Sequence, residues 1–239
     1  MCCPYIHRFV NFFLYQEPSE VTKMFLSILP FLCSCYGIYF AYPILIDHLT
    51  DNTPNFNNLT DVKKHYVVKN LIKAAYLCVL SVIGLPLMVC AWYNYWPNAW
   101  IQSMAGLYCS NDIMGLYKVK ELPTSTRLHH TVTFVFLLAT FMTDFQHSSV
   151  GQMLFVYTYC SALCFPVNAY LGLRLCFTEE TVEPTKKLAK YIYPTMCIIN
   201  WTLQYWMMHT TVYHFAYLGL LIFIVYDDIY LLRWLWKDV

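Results

Sequence analysis

Charged residues are scarce in this chain. Asp, Glu, Lys and Arg make up 12% of its 239 residues, about half of the ~25% usual in soluble domains. So few charges cannot cover a surface that faces water on all sides. The two signs nearly cancel, at a net charge of +1, so nothing in the balance points to a strongly acidic partner and no nucleic acid is expected as a partner. Glycine is also short, with seven residues. There is no Gly-rich phosphate loop, no nucleophile elbow and no His-Glu-x-x-His. Cys33-Ser34-Cys35 is too tight for zinc, and no Cys pair has a matching His pair. Neither a resident cofactor nor a metal is therefore expected.

What is abundant is apolar surface. Hydrophobic residues are 59% of the chain and aromatics 18%, and the mean hydropathy is +0.44. An integral membrane protein, all-α and polytopic, follows from these values. The eleven cysteines do not change this reading. Most lie inside apolar runs, where Cys acts as a small hydrophobe, and their spacings match no secreted disulfide framework. Cys2-Cys3 sits on a short tail beside a membrane, where S-palmitoylation and two ordinary thiols are both open. Met1 to Thr22 offers no small-residue cleavage site, so the first long apolar run is expected to act as a signal anchor.

With about 20 residues per span, the chain divides into seven helices, near 24–46, 71–93, 98–117, 128–146, 151–175, 188–208 and 212–234. Together they form a single transmembrane domain over 24–237 behind a non-cytosolic tail, 1–23. A polar loop is expected from Asp47 to Lys69 and a charged one from Thr178 to Lys187. Leu188 to Leu235 as one helix would be roughly 70 Å long, more than twice the hydrocarbon core. It must fold back, and His209-Thr210-Thr211 is the expected turn.

Charge tests this count. With seven spans, thirteen of the 15 Lys and Arg residues fall on one side, and only Arg8 and Lys23 on the other. By the positive-inside rule the N-terminus is then lumenal and the C-terminus cytosolic. The glycosylation sequon Asn58-Leu59-Thr60 falls on the side assigned to the cytosol, so a glycan there would reverse the orientation.

Depth now adds to topology. Asp112 lies about 7–8 Å from the cytosolic end of its helix, and Asn168 and the pair Asp227-Asp228 about 10 Å from theirs. His129 and His130 occupy the first turn of the fourth helix, which starts on that same side, and Arg174 sits at the rim. Intramembrane ionisable groups cost roughly 2.5–3.5 kcal/mol each on insertion scales and normally face an interior or a wet cavity. Their shared layer points to a polar cavity open to the cytosol. His129, His130 and Asp112 are the candidate catalytic groups, with a carboxylate orienting a histidine that acts as base or nucleophile. Asn111, Asn168, Arg174, Asp227 and Asp228 are candidates for holding a lipid. Asn200 and Gln204 share a helix face and read as interhelical hydrogen-bonding residues. His209, His214, Asp144 and His147 read as residues of the opposite interface.

His129-His130 at the start of a membrane helix, with Asp112 in the helix before, resembles the TLC domain. This family includes the longevity-assurance ceramide synthases, the translocation-associated membrane protein and smaller proteins of the endoplasmic reticulum. Ser161-Ala162-Leu163-Cys164-Phe165-Pro166-Val167-Asn168-Ala169-Tyr170-Leu171-Gly172-Leu173-Arg174 is similar to the helix that follows in the smaller members. The synthases carry a His-Asp-x-x-Asp on the next helix where the region of Thr158, Tyr159 and Ala162 has no acid, and another acid where Thr124-Ser125-Thr126 stands, so the smaller members are the closer likeness. The resemblance implies an endoplasmic reticulum protein that binds or handles an acyl chain or sphingolipid. Its alternative is an N-acyltransferase that uses acyl-coenzyme A as co-substrate and the His pair as its reacting group. A bundle whose polar layer only supports packing is the third reading. Homo- and hetero-oligomers are both compatible with the sequence.

Overall fold

A computed structural model describes residues 20–237. The tail with Cys2, Cys3 and Arg8 lies outside them. Among the described residues the chain is all-α, without a strand. The helices are α1 (Glu20–Asn52), α2 (Pro54–Asn57), α3 (Asp61–Trp92), α4 (Asn98–Lys118), α5 (Thr124–Phe141), α6 (Ser149–Leu163), α7 (Phe165–Leu173), α8 (Glu179–Trp206) and α9 (Val212–Lys237).

Among the described residues three helical segments are long and apolar enough to cross a membrane: Phe25–Asn52 of α1, α3 and α9. The bent pair α6 and α7 makes a fourth if it is one span. Their outward faces carry Leu32, Val82, Leu85, Phe215 and Ile222, each more than half exposed. Apolar surface on this scale needs lipid or protein against it. The chain is accordingly a membrane protein.

α4 falls outside that apolar set because of where it sits. It packs against α1, α3, α5 and α6, and its buried residues run round the helix from Ile101 to Gly115. A helix covered by protein on all sides need not be greasy, so it can carry Ser110, Asn111 and Asp112. Ser34 of α1 and Ser110 of α4 hydrogen-bond at 2.6 Å, the small polar contact expected between membrane helices.

Four sequence expectations are corrected. The loop 47–69 is mostly helix: α1 continues to Asn52 and α3 begins at Asp61, an acid well placed for a helix N-terminus. The fourth helix starts four residues before 128, at Thr124, and ends at Phe141, so the two histidines lie in its second turn. The charged stretch after Thr178 is the start of α8, with Glu179 and Glu180 in its first turn. The expected helix 151–175 breaks at Cys164, where α6 and α7 meet at 41°. Pro166 stands at the start of α7, where its missing N–H is tolerated but cannot continue a ladder from α6. The fold-back before α9 falls between Trp206 and Val212 and includes His209-Thr210-Thr211.

The α6–α7 break lets α7 lie closely along α3. A Cβ added to Gly172 would come within 2.8 Å of the Leu71 side chain and 3.3 Å of the Val67 carbonyl. Only glycine admits this approach, and it fixes Arg174, two residues on, beside the first turns of α3.

Candidate functional site

Consecutive residues on an α-helix point about 100° apart, and this separates the two histidines. Their rings are nearly perpendicular, at 82°, with centroids 5.6 Å apart. His130 faces α4, with its Nδ1 3.2 Å from Asp112 Oδ1. His129 faces α9, with its Nδ1 3.3 Å from Asp227 Oδ2. Both contacts are within ion-pair reach but lack the alignment of a made hydrogen bond. Each histidine therefore has its own carboxylate.

α3 supplies the cations. Lys69 and Lys73 are four apart and share a face, and both are buried. Lys73 Nζ donates to Asp112 Oδ1, a buried ion pair. Lys73, Asp112 and His130 thus form a polar string across α3, α4 and α5. The stem of Lys69 lies over Gly115, where a Cβ would meet it at 3.1 Å. Its ammonium makes no hydrogen bond or ion pair among the described residues.

Lys69, Lys73, His129 and His130 open onto a cavity of about 270 Å³. Asn168, Arg174, Asp227 and Asp228 line it as well, and its remaining wall includes Leu77, Val167, Leu171 and Leu231. Asp227 also accepts a long hydrogen bond from Thr126 Oγ1, at 3.4 Å, and Asp228 accepts from the Tyr193 hydroxyl at 2.8 Å. The Arg174 guanidinium stacks over Trp234, 4.5 Å from the ring centroid, a cation–π contact.

Six of the eight sequence candidates therefore line one cavity: His129, His130, Asn168, Arg174, Asp227 and Asp228. Asp112 lies behind it, fully buried, reached through Lys73 and His130. Asn111 is also fully buried and does not line the cavity, and neither of its amide atoms has a partner. Sequence reasoning missed Lys69, Lys73 and Tyr193. It counted both lysines as cytosolic flanking charges, although their spacing of four on an apolar run was visible.

Other polar residues have structural work. Gln204 donates to the Met153 carbonyl at 3.0 Å and accepts from Tyr217 at 2.8 Å, joining α6, α8 and α9. Asn200 accepts from Gln204 on the same face. His214 is buried in the first turn of α9, held by Ser149 and Thr211. Asp144 and His147 form an exposed pair at 2.7 Å.

Donor atoms of Asp112, His129 and His130 lie within 4.8 Å of one another, a set that could in principle grip a cation. The surrounding charge argues against it. Lys73 already occupies one oxygen of Asp112, and Lys69 adds a second ammonium on the same face of α3. A divalent ion would have to displace or oppose both.

Comparison with protein-family models, with curated proteins and with solved structures gives no match.

Proposed function

We propose that this chain is a TLC-type membrane protein that binds a membrane lipid, with the lipid headgroup in the polar cavity. In this reading the bundle crosses the endoplasmic reticulum membrane seven times, with the N-terminus lumenal and the C-terminus cytosolic. The observation that carries the proposal is the cavity itself. Its wall mixes apolar and polar side chains and carries ionisable groups from α3, α5 and α9 and from Arg174 just past α7. At about 270 Å³ it is near the lower end of ligand sites, roughly 300–1,000 Å³, so it suits a headgroup and the first part of a chain. Buried charge is kept where a polar ligand or a wet path repays its desolvation.

A second reading rests on His129. Its Nδ1 faces Asp227, as in a base oriented by a carboxylate, and its ring borders the cavity. In an acyl transfer the lipid amine would attack a thioester carbonyl. Its nitrogen would gain the acyl carbon as the C–S bond breaks. His129 would take the amine proton and return it to the departing thiolate.

Mass spectrometry of lipids retained by the purified protein, alongside acyl-coenzyme A turnover, tests both. A retained lipid lost in His129→Ala, without turnover in the wild type, supports binding. Turnover abolished in His129→Ala supports the transferase. A wild-type protein that neither retains lipid nor consumes acyl-coenzyme A overturns both.

A further inference from the structure

The cavity has three cations and they are not equivalent. Lys73 has Asp112. Arg174 has the face of Trp234 but no carboxylate. Lys69 makes no hydrogen bond or ion pair among the described residues, the residue is only 4% exposed, and Asp112 and Asp227 act on it only through longer-range attraction. The nearby carboxylates are already engaged elsewhere, Asp227 by His129 and Thr126 and Asp228 by Tyr193. A buried ammonium without a partner is among the costliest arrangements a fold can hold. Its methylene stem runs along Gly115, where an added Cβ would crowd it.

We propose that Lys69 is the counter-ion for an anionic ligand head, a carboxylate or phosphate carried on an apolar chain. Resting on the lipid-binding reading above, this narrows the ligand from membrane lipids at large to anionic amphiphiles. The head sits against Lys69, and Arg174, which lines the same cavity, offers a second set of donors. The apolar portion follows Leu77, Val167 and Leu231. The same charge that disfavours a metal at Asp112 and the histidines favours an anion here.

The test uses the full chain in neutral detergent and four chain-matched probes: oleate, oleoyl-lysophosphatidate, oleyl alcohol and monooleoylglycerol. At low ionic strength the anionic pair should bind at least about tenfold more tightly than the neutral pair, as a charge-assisted contact provides. Lys69→Gln should remove that preference and leave the neutral probes unchanged, whereas Lys69→Arg should keep it. The thermal midpoint of ligand-free Lys69→Gln should equal or exceed the wild-type value, because an unpaired charge has gone; this verifies its fold. Whichever of oleate and lysophosphatidate binds more tightly identifies the head as carboxylate or phosphate. Equal binding of anionic and neutral probes, or an unchanged preference in Lys69→Gln, overturns the counter-ion role while leaving lipid binding standing. Failure of all four probes to bind sinks both.

Discussion

Replacing Asp112 with Asn should cost more stability than any other isosteric change in the bundle. Asp112 is fully buried and Lys73 nearly so, at 0% and 9% side-chain exposure. The Asn side chain fits the same space on α4 but leaves the Lys73 ammonium facing a neutral amide. Lys69 stands one turn away on the same face of α3, about 6 Å along the axis, so two buried ammoniums then confront each other without a carboxylate between them. Removing one partner of a buried pair costs about 3–5 kcal/mol. For a chain of this size that is roughly 6–20 °C in the thermal midpoint, read from tryptophan fluorescence of the detergent-solubilised protein. The companion double variant, Lys73→Met with Asp112→Asn, removes both charges and should recover most of the loss, because replacing a whole buried pair is often nearly neutral. A loss below about 1 kcal/mol in Asp112→Asn, or a double variant as unstable as the single, would refute the reasoning that this pair is buried and coupled.

Two further outcomes follow from groups away from the ligand. Asn111 is fully buried with both amide atoms unpartnered, so Asn111→Leu should raise the midpoint by about 1–3 kcal/mol equivalent; a fall would mean that the amide is hydrogen-bonded in the folded protein. In the loop between α5 and α6, Asp144 is held down at about 2 by hydrogen bonds from Asn98, His147 and the Gln146 N–H. Its folded value lies below the ordinary carboxylate value, so the ionised form contributes stability above about pH 4, and that contribution disappears as pH falls through about 2. Asp144→Asn should flatten the pH dependence of the midpoint between pH 4 and 2, by a small amount because the side chain faces water. An unchanged slope would remove the assignment.

The helix starts at Asn98 and Val212 were legible because Pro97 and the Thr210 region bound apolar runs, whereas those at Asp61, Thr124 and Glu179 lie in polar turns outside the runs. The coincidence of His129, Asn168, Arg174 and Asp227 in one cavity was legible too. Helix direction and rise per residue together set depth, and depth brings residues from different helices to one level. What depth cannot give is azimuth. It placed His129 and His130 together near Asp112, whereas the 100° step between neighbours sends one to α4 and the other to α9. Azimuth also separates Asn111, one residue from Asp112, from the cavity. Lys69 and Lys73 were hidden for a different reason: the charge rule treats every lysine near a helix end as a flank, and these two turn inward. The α6–α7 break had a visible marker in Pro166, but prolines at 30, 43, 86, 184 and 194 sit inside continuous helices, so proline alone did not decide it.

The most direct measurement of the central claim is photocrosslinking with a diazirine-bearing oleate analogue, followed by peptide mapping of the labelled full-length protein. The account expects labels on cavity-lining positions of α7 and α9, such as Val167, Leu171 and Leu231, competed away by unlabelled oleate or lysophosphatidate. Labels confined to outward residues such as Val82 and Ile222, and unaffected by competitor, would contradict it.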